Sequence, residues 1–240
     1  MADDPDRTLT YSTNQKKLFD HLMTSAKYIK DNFKNHQKVI IHNGDAVEGV
    51  HHLTIQLSAP MAEDHVLIHQ EVMSMFLEEV GFSIKNGDEL YYGSGTEAHT
   101  GYVESRIARH FEPYGAKYYD ELKLEQYGKT LWFVHQWTGT GNGHNEGNAI
   151  FNGLKAMYYN SLKEGWEMPA MAIGSHYHKT SLASFTQNWK TYYGMITPSF
   201  QMKTRFGQKV SAFQRNDIGL GLVEVATNGM MKIHEPLLLK

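Results

Sequence analysis

Two spacings of apolar residues alternate along this 240-residue chain. Recurrence at three and four residues predicts a helix over 13–35, with Leu18, Leu22 and Ile29 on one side, Lys residues on the other and Thr13 placed to cap it. A second helix is predicted over 61–81 from Val66, Leu67, Val72, Met75, Phe76, Leu77 and Val80, with Gly81 as its stop. Shorter helical patterns occupy 100–111 and 149–165. Between them lie short β-prone runs stopped by Gly or polar residues, which read as strands: 38–42, 89–93, 117–124, 130–135 and 170–174. The runs 117–124 and 130–135 are expected to pair around Tyr127-Gly128-Lys129. The last third alternates β-like pieces at 181–186, 191–197, 199–206, 219–226 and 230–234. Strand–helix alternation followed by a run of strands predicts a layered α/β fold with a mixed sheet. With no repeat, low-complexity segment or linker, a single domain over 1–240 is expected.

Four of these strands deliver metal-ligand residue types at their ends. Val39-Ile40-Ile41-His42 runs into Asn43-Gly44-Asp45, and Leu90-Tyr91-Tyr92-Gly93 leads to Gly95-Thr96-Glu97-Ala98-His99. Leu131-Trp132-Phe133-Val134 delivers His135, and Met171-Ala172-Ile173-Gly174 delivers Ser175-His176-Tyr177-His178. Ligands of open α/β sheets bind beyond the carboxyl ends of the strands. Asp45, Glu97, His99, His135, His176 and His178 are therefore expected to converge on one edge of one sheet as a metal site. Each element alone has a plainer reading. Gly-Asp after a strand is commonly a turn, a His ending a strand is commonly a hydrogen-bonded core residue, and Thr96 and Glu97 could cap the helix that follows. Their joint occurrence in this order carries the argument. In an extended segment residues two apart face the same side, so His176 and His178 could face one metal cluster.

Composition narrows the chemistry. With zero Cys, any metal must be held by oxygen and imidazole nitrogen, and the 14 His supply more imidazoles than one site needs. A net charge of −3 and a pI near 6.5 argue against a general nucleic-acid binder. Lys179, Lys190, Lys203, Arg205, Lys209 and Arg215 still leave room for a local basic patch. No apolar stretch is long enough to span a membrane, and the acidic start Met1-Ala2-Asp3-Asp4-Pro5-Asp6 is the opposite of a secretory signal. A cytoplasmic location, in a bacterial or phage-infected cell, is expected. The Met residues and the Tyr- and Trp-rich patches read most simply as core.

Taken in order, the strand-end motifs resemble those of the calcineurin-like metallophosphoesterases, and more closely a phage-borne branch of them. The family's pattern is Asp-x-His, then Gly-Asp, then Gly-Asn-His-Asp/Glu, then His, then Gly-His-x-His. Gly44-Asp45 matches the second element, His135 the fourth, and Gly174-Ser175-His176-Tyr177-His178 the fifth with one residue inserted. Gly44-Asp45-Ala46-Val47-Glu48-Gly49 with His51-His52, the Gly95–Gly101 turn and Thr197-Pro198-Ser199-Phe200-Gln201 look like the phage branch. The resemblance runs from about residue 38 to about residue 225. It implies a four-layer α-β-β-α sandwich with mixed sheets. It also implies that Asp45 bridges two metals, with His135 and His176 on one and His178 on the other.

The chain departs from the pattern twice. Thr96 stands where an Asn ligand belongs; Glu97 could bind metal instead, and His99 could replace the usual His that helps protonate the leaving oxygen. The first element is missing: no Asp-x-His follows a strand before residue 38, and Asp20-His21 sits in a helical pattern. The first strand of the family is then missing too, although His51, His52 or Asp64 could compensate as ligands. A bare sheet edge in its place would invite association with another chain.

The resemblance implies a metal-dependent phosphoesterase acting by metal-activated hydroxide attack, with phosphodiesters of nucleic acid or nucleotides favoured over monoesters. Its cofactors would be one or two divalent ions, from Mn, Fe, Zn, Ni or Mg. Two such ions about 3.5–4 Å apart can share a bridging carboxylate and stabilise in-line attack. Two other readings stay open. One is a catalytically degenerate metal- or partner-binding relative of the same fold. The other is a single-metal hydrolase of unrelated fold that uses His176 and His178. The expected partner is a phosphate-ester substrate, with no membrane and with oligomerisation allowed.

Overall fold

The computed structural model describes residues 12–48, 61–96, 103–141, 143–203 and 216–239. The chain opens with helix α1 (Thr13–Asn32), strand β1 (Val39–Asn43) and helix α2 (Ala62–Val80). Strand β2 (Glu89–Gly93), helix α3 (Val103–His110) and strand β3 (Lys117–Tyr119) complete a first half. The second half holds β4 (Leu122–Gln126), β5 (Lys129–Phe133), helix α4 (Asn148–Glu164), β6 (Met171–Gly174), β7 (Ser181–Gln187) and β8 (Lys190–Ile196). Four short strands follow: β9 (Gly219–Leu220), β10 (Val223–Val225), β11 (Met231–Ile233) and β12 (Leu237–Leu238).

Local chemistry fixes the helix ends. Ser12, rather than Thr13, caps α1: its side chain accepts from the Gln15 N–H while the Gln15 side chain accepts from the Ser12 N–H. This reciprocal pair satisfies two otherwise orphan donors. Helix α2 stops as the sequence predicts, at Gly81 in the left-handed region with φ 70°.

Two sheets stack between helices, and strand alternation shows how. Strands β1, β2 and β3 form an all-parallel sheet in that order, and β4-β5-β6-β8-β7 form a mixed sheet. On β2, Leu90 and Tyr92 pack with α1, α2 and α3 residues such as Ala26, Leu77 and Ile107, while Tyr91 points to the other side, against Leu122, Leu124 and Phe133. On β6, Ala172 packs against α4 residues Ile150 and Leu154, while Met171 and Ile173 face inward. The layers are therefore helix, sheet, sheet, helix, each buried through alternate side chains. Fully buried anchors such as Leu90, Ile150 and Leu154 contribute roughly 1.5–3 kcal/mol each.

Three sequence expectations need correction. The run 117–124 is not one strand: it breaks at Asp120-Glu121, so that β3 pairs parallel with β2 while β4 crosses to the second sheet and forms the hairpin with β5. The predicted strand 199–206 is reduced among the described residues to a single bridge from Ser199 to Ile218, and residues 204–206 lie outside them. Of the mixed sheets expected, the second is mixed, while the first is parallel among the described residues.

Candidate metal centre

The C-terminal ends of β1, β2, β5 and β6 meet at the seam between the two sheets. The expected convergence on one edge of one sheet is corrected in this respect: two strands of each sheet contribute. Past the ends of β5 and β6 the backbones stay paired, with Val134 N–H donating to Ile173 O at 3.1 Å and Ser175 N–H donating to His135 O at 2.8 Å. His135 and His176 are thereby set beside one another.

Four donor atoms come together here. His135 Nε2 lies 2.9 Å from Asp45 Oδ2, and His176 Nδ1 lies 4.0 Å from the same oxygen. His135 Nε2 and His176 Nδ1 are 3.3 Å apart. Thr96 Oγ1 stands 3.3 Å from each imidazole nitrogen and 3.5 Å from Asp45 Oδ2. Six separations between 2.9 and 4.0 Å describe a compact, non-planar quartet. Metal–ligand bonds of roughly 2.0–2.2 Å in tetrahedral geometry would place ligand atoms about 3.3–3.6 Å from one another. The residues present fit a divalent ion. Among the described residues Asp45, His135 and His176 form the one group of three His or acidic residues with atoms this close, within 4.8 Å.

The backbone is shaped for this meeting. Gly44 has φ 89°, and a Cβ there would lie 2.4 Å from His135 Nδ1 and 2.5 Å from Ser94 O. At Gly95 a Cβ would come within 2.3 Å of Asp45 N. Both turns require glycine for close approach. Asp45, His176 and His178 are themselves left-handed, with φ of 51°, 71° and 52°. Such conformations in non-glycine residues concentrate at functional sites.

Electrostatics follow from the contacts. Burial pushes the Asp45 carboxyl upward, but the hydrogen bond and charge of His135, the Thr96 N–H at 2.7 Å and the charge of His176 outweigh it, holding the pKa at about 2. Burial lowers the pKa of His135, yet the Asp45 hydrogen bond and charge more than reverse this and raise it. Burial and the neighbouring His135 lower His176. His135 Nδ1 donates to Asn43 O at 2.7 Å, which turns Nε2 toward the quartet and fixes the tautomer a metal would need.

Of the residues singled out in the sequence, Asp45, Thr96, His135 and His176 are brought together. His178 is not part of the close group, although it lines the same cleft and its Nδ1 lies 3.3 Å from Asn216 Nδ2. Glu97 and His99 lie outside the described residues, as do His51, His52, Arg205, Lys209 and Arg215. Lys179 pairs with Glu146 at 2.9 Å.

Sequence reasoning missed the supports. Asn43 Nδ2 donates to Val134 O at 3.1 Å and to Ser175 Oγ at 2.9 Å, tying the ends of β1, β5 and β6 together. Glu104 is fully buried on α3 and accepts from the Ala46 N–H at 3.0 Å, pinning the turn just after Asp45. Asn-Gly-Asp at a strand end was a signal for the first; a single Glu in a helical pattern gave none for the second.

No family model and no curated protein matches the chain. Among solved structures it is similar to a novel archaeal phosphodiesterase, at 9% identity, over 92% of each chain, with a TM-score of 0.45. It is also similar to a predicted phosphoesterase from Streptococcus pneumoniae TIGR4, at 15% identity, over 78% of this chain and 82% of that one, with a TM-score of 0.35.

Proposed function

We propose that this chain is a metal-dependent phosphoesterase with Asp45, His135 and His176 as metal ligands and the Thr96 hydroxyl as a weaker fourth donor. The observation that carries this reading is the quartet of oxygen and nitrogen atoms separated by 2.9–4.0 Å at the seam of the two sheets. A divalent ion held there would supply Lewis acidity toward a phosphoryl oxygen and make a water nucleophilic at neutral pH. The chain's own residues do the positioning. Asn43 orients His135, the Thr96 N–H orients Asp45, and Glu104 holds the turn just after Asp45. In this reading His99 protonates the leaving oxygen, Glu97 assists catalysis, and His178 belongs to a second ion that needs donors beyond the described residues.

Phosphodiesters are favoured over small monoesters because the cleft beside the quartet is lined near His178 by Gln201, Lys203 and Asn216, polar and cationic groups suited to a phosphate backbone. In this reading the substrate is a nucleic acid or a nucleotide. A degenerate, metal-binding relative is the second reading. It is favoured by Thr96, whose neutral hydroxyl is a poor ligand, and by the single close ligand group among the described residues.

The test is hydrolysis of bis(p-nitrophenyl) phosphate by protein loaded with Mn, with bound metal measured alongside. Loading should stimulate turnover, and Asp45→Ala should reduce it by more than the 10–100-fold typical of outer-shell changes, with the fold intact. Full activity in Asp45→Ala would refute the assignment. Stoichiometric metal without turnover would select the degenerate reading.

A further inference from the structure

Strands β1, β2 and β3 are parallel to one another, as are β5, β6 and β8. Because β1, β2, β5 and β6 end at the quartet, the loops that enter these strands gather at the opposite pole of the molecule. Among the described residues, every reversal at this pole except the one between α1 and β1 exposes a large apolar side chain. These are Ile84 before β2, Tyr114 before β3, Tyr127 between β4 and β5, Trp166 before β6, Trp189 between β7 and β8, and Met230 between β10 and β11. Contacts hold neighbouring loops side by side. A Cβ on Gly115 would stand 3.5 Å from Ile84 Cγ2, and one on Gly229 would stand 3.0 Å from Tyr127 O. Asn188 Nδ2 donates to the Tyr158 hydroxyl of α4 at 2.9 Å. Trp189 is fully exposed, and both it and Asn188 are left-handed, with φ of 62° and 50°. A two-residue hairpin turn of this hand favours Asn-Gly. Trp gives up that ease and gains no burial within the chain.

We propose that this pole docks on an anionic lipid surface, with the apolar tips entering the headgroup region and neighbouring lysines meeting lipid phosphates. Charge supports the choice. Each tip has a Lys within three residues along the chain: Lys85, Lys117, Lys129, Lys163, Lys190 and Lys232. The acidic residues within the same reach are Glu112, Glu125, Glu164 and Glu167, so the pole is net positive in a chain whose formal net charge is −3. The pairing of residue types separates the candidate partners. Protein interfaces are depleted in Lys, whereas here a Lys accompanies every tip. Bases stack on aromatic rings, and Ile84 and Met230 have none. Trp and Tyr settle at the boundary between lipid and water, and Lys lays its stem along apolar surface while its ammonium reaches the headgroups. Such lysines are drawn to anionic lipid. Docked in this way, the quartet faces the aqueous phase. The expectation of no membrane rested on the lack of a spanning stretch, and a surface contact needs none. The inference is independent of the hydrolytic reading, since its readout is vesicle binding and not turnover.

The test adds the whole protein to vesicles of phosphatidylcholine alone or of equal parts phosphatidylcholine and phosphatidylglycerol. It should co-sediment with the anionic vesicles about tenfold more tightly than with the neutral ones, and added salt should release it. Tryptophan emission should shift to the blue on binding. Trp189→Gly, which suits the left-handed turn, should bind the anionic vesicles about fivefold more weakly and lose most of that shift, without a lower melting temperature. No co-sedimentation with anionic vesicles, wild-type vesicle affinity in Trp189→Gly, or a blue shift produced by a single-stranded oligonucleotide or by self-association in place of vesicles would each overturn the proposal.

Discussion

Asn43 joins three strand ends: its side chain donates to Val134 O and Ser175 Oγ, and its carbonyl accepts from His135 Nδ1. An Asn43→Ala change leaves that carbonyl in place but removes the side-chain ties that aim it. Metal affinity should fall about 10–100-fold, as for other residues that orient ligands, and titration calorimetry with Mn would measure it. Wild-type affinity in this variant would show that β5 and β6 place His135 unaided. The raised pKa of His135 has a second consequence. The proton that Asp45 stabilises on its ring must leave before Nε2 can accept a metal. Metal binding near pH 7 should therefore release protons, seen as a binding enthalpy that varies with the ionisation enthalpy of the buffer; an invariant enthalpy would contradict this. At this scale Asp45, His135 and His176 were legible because each ends a hydrophobic run. Asn43 and Glu104 were not, because their work is done through backbone groups that leave no residue-type pattern.

Between elements, the packing of β1 on α2 carries its own pH dependence. His42 on β1 and His69 on α2 lie with ring centroids 5.0 Å apart, and His69 Nε2 sits 3.2 Å from the Tyr92 hydroxyl. Burial, with the neighbouring His69, lowers His42 from 6.5 to about 3, and burial lowers His69 to about 4. Both rings stay neutral in the fold while the unfolded chain takes up protons below its ordinary value. Their contribution to stability is thus complete above pH 6.5 and is lost as pH falls toward 4 and then 3. Each such proton costs about 1.4 kcal/mol per pH unit in that window. The urea midpoint of metal-stripped protein should fall steeply there. A His42→Gln variant, which cannot take up the proton, should show a shallower fall, and an unchanged slope would contradict the assignment. Most elements were readable from spacing alone, Gly81 and the strand 89–93 among them. The break at Asp120-Glu121 was not, because which sheet each half of 117–124 joins is set by long-range pairing, β3 with β2 and β4 with β5.

For the whole molecule, the two halves of the chain each build one of the two main sheets and a helical face, the second half adding the two-stranded pairs β9-β12 and β10-β11, and the quartet forms only where the main sheets stack. Strand-end logic foresaw that Asp45, His135 and His176 gather, but it also expected His178, which stands outside the close group, and Glu97 and His99, which lie outside the described residues. It could not foresee that β1 and β2 meet β5 and β6 across a seam, since sheet membership depends on long-range pairing that local alternation does not encode. No described helix is long and apolar enough to cross a membrane. The measurement that tests the account most directly is anomalous diffraction from crystals soaked in Mn. The account predicts a peak among Asp45 Oδ2, Thr96 Oγ1, His135 Nε2 and His176 Nδ1, about 2.0–2.3 Å from the imidazole and carboxylate atoms. A peak elsewhere, or none with His135 still bonded to Asp45, would contradict it.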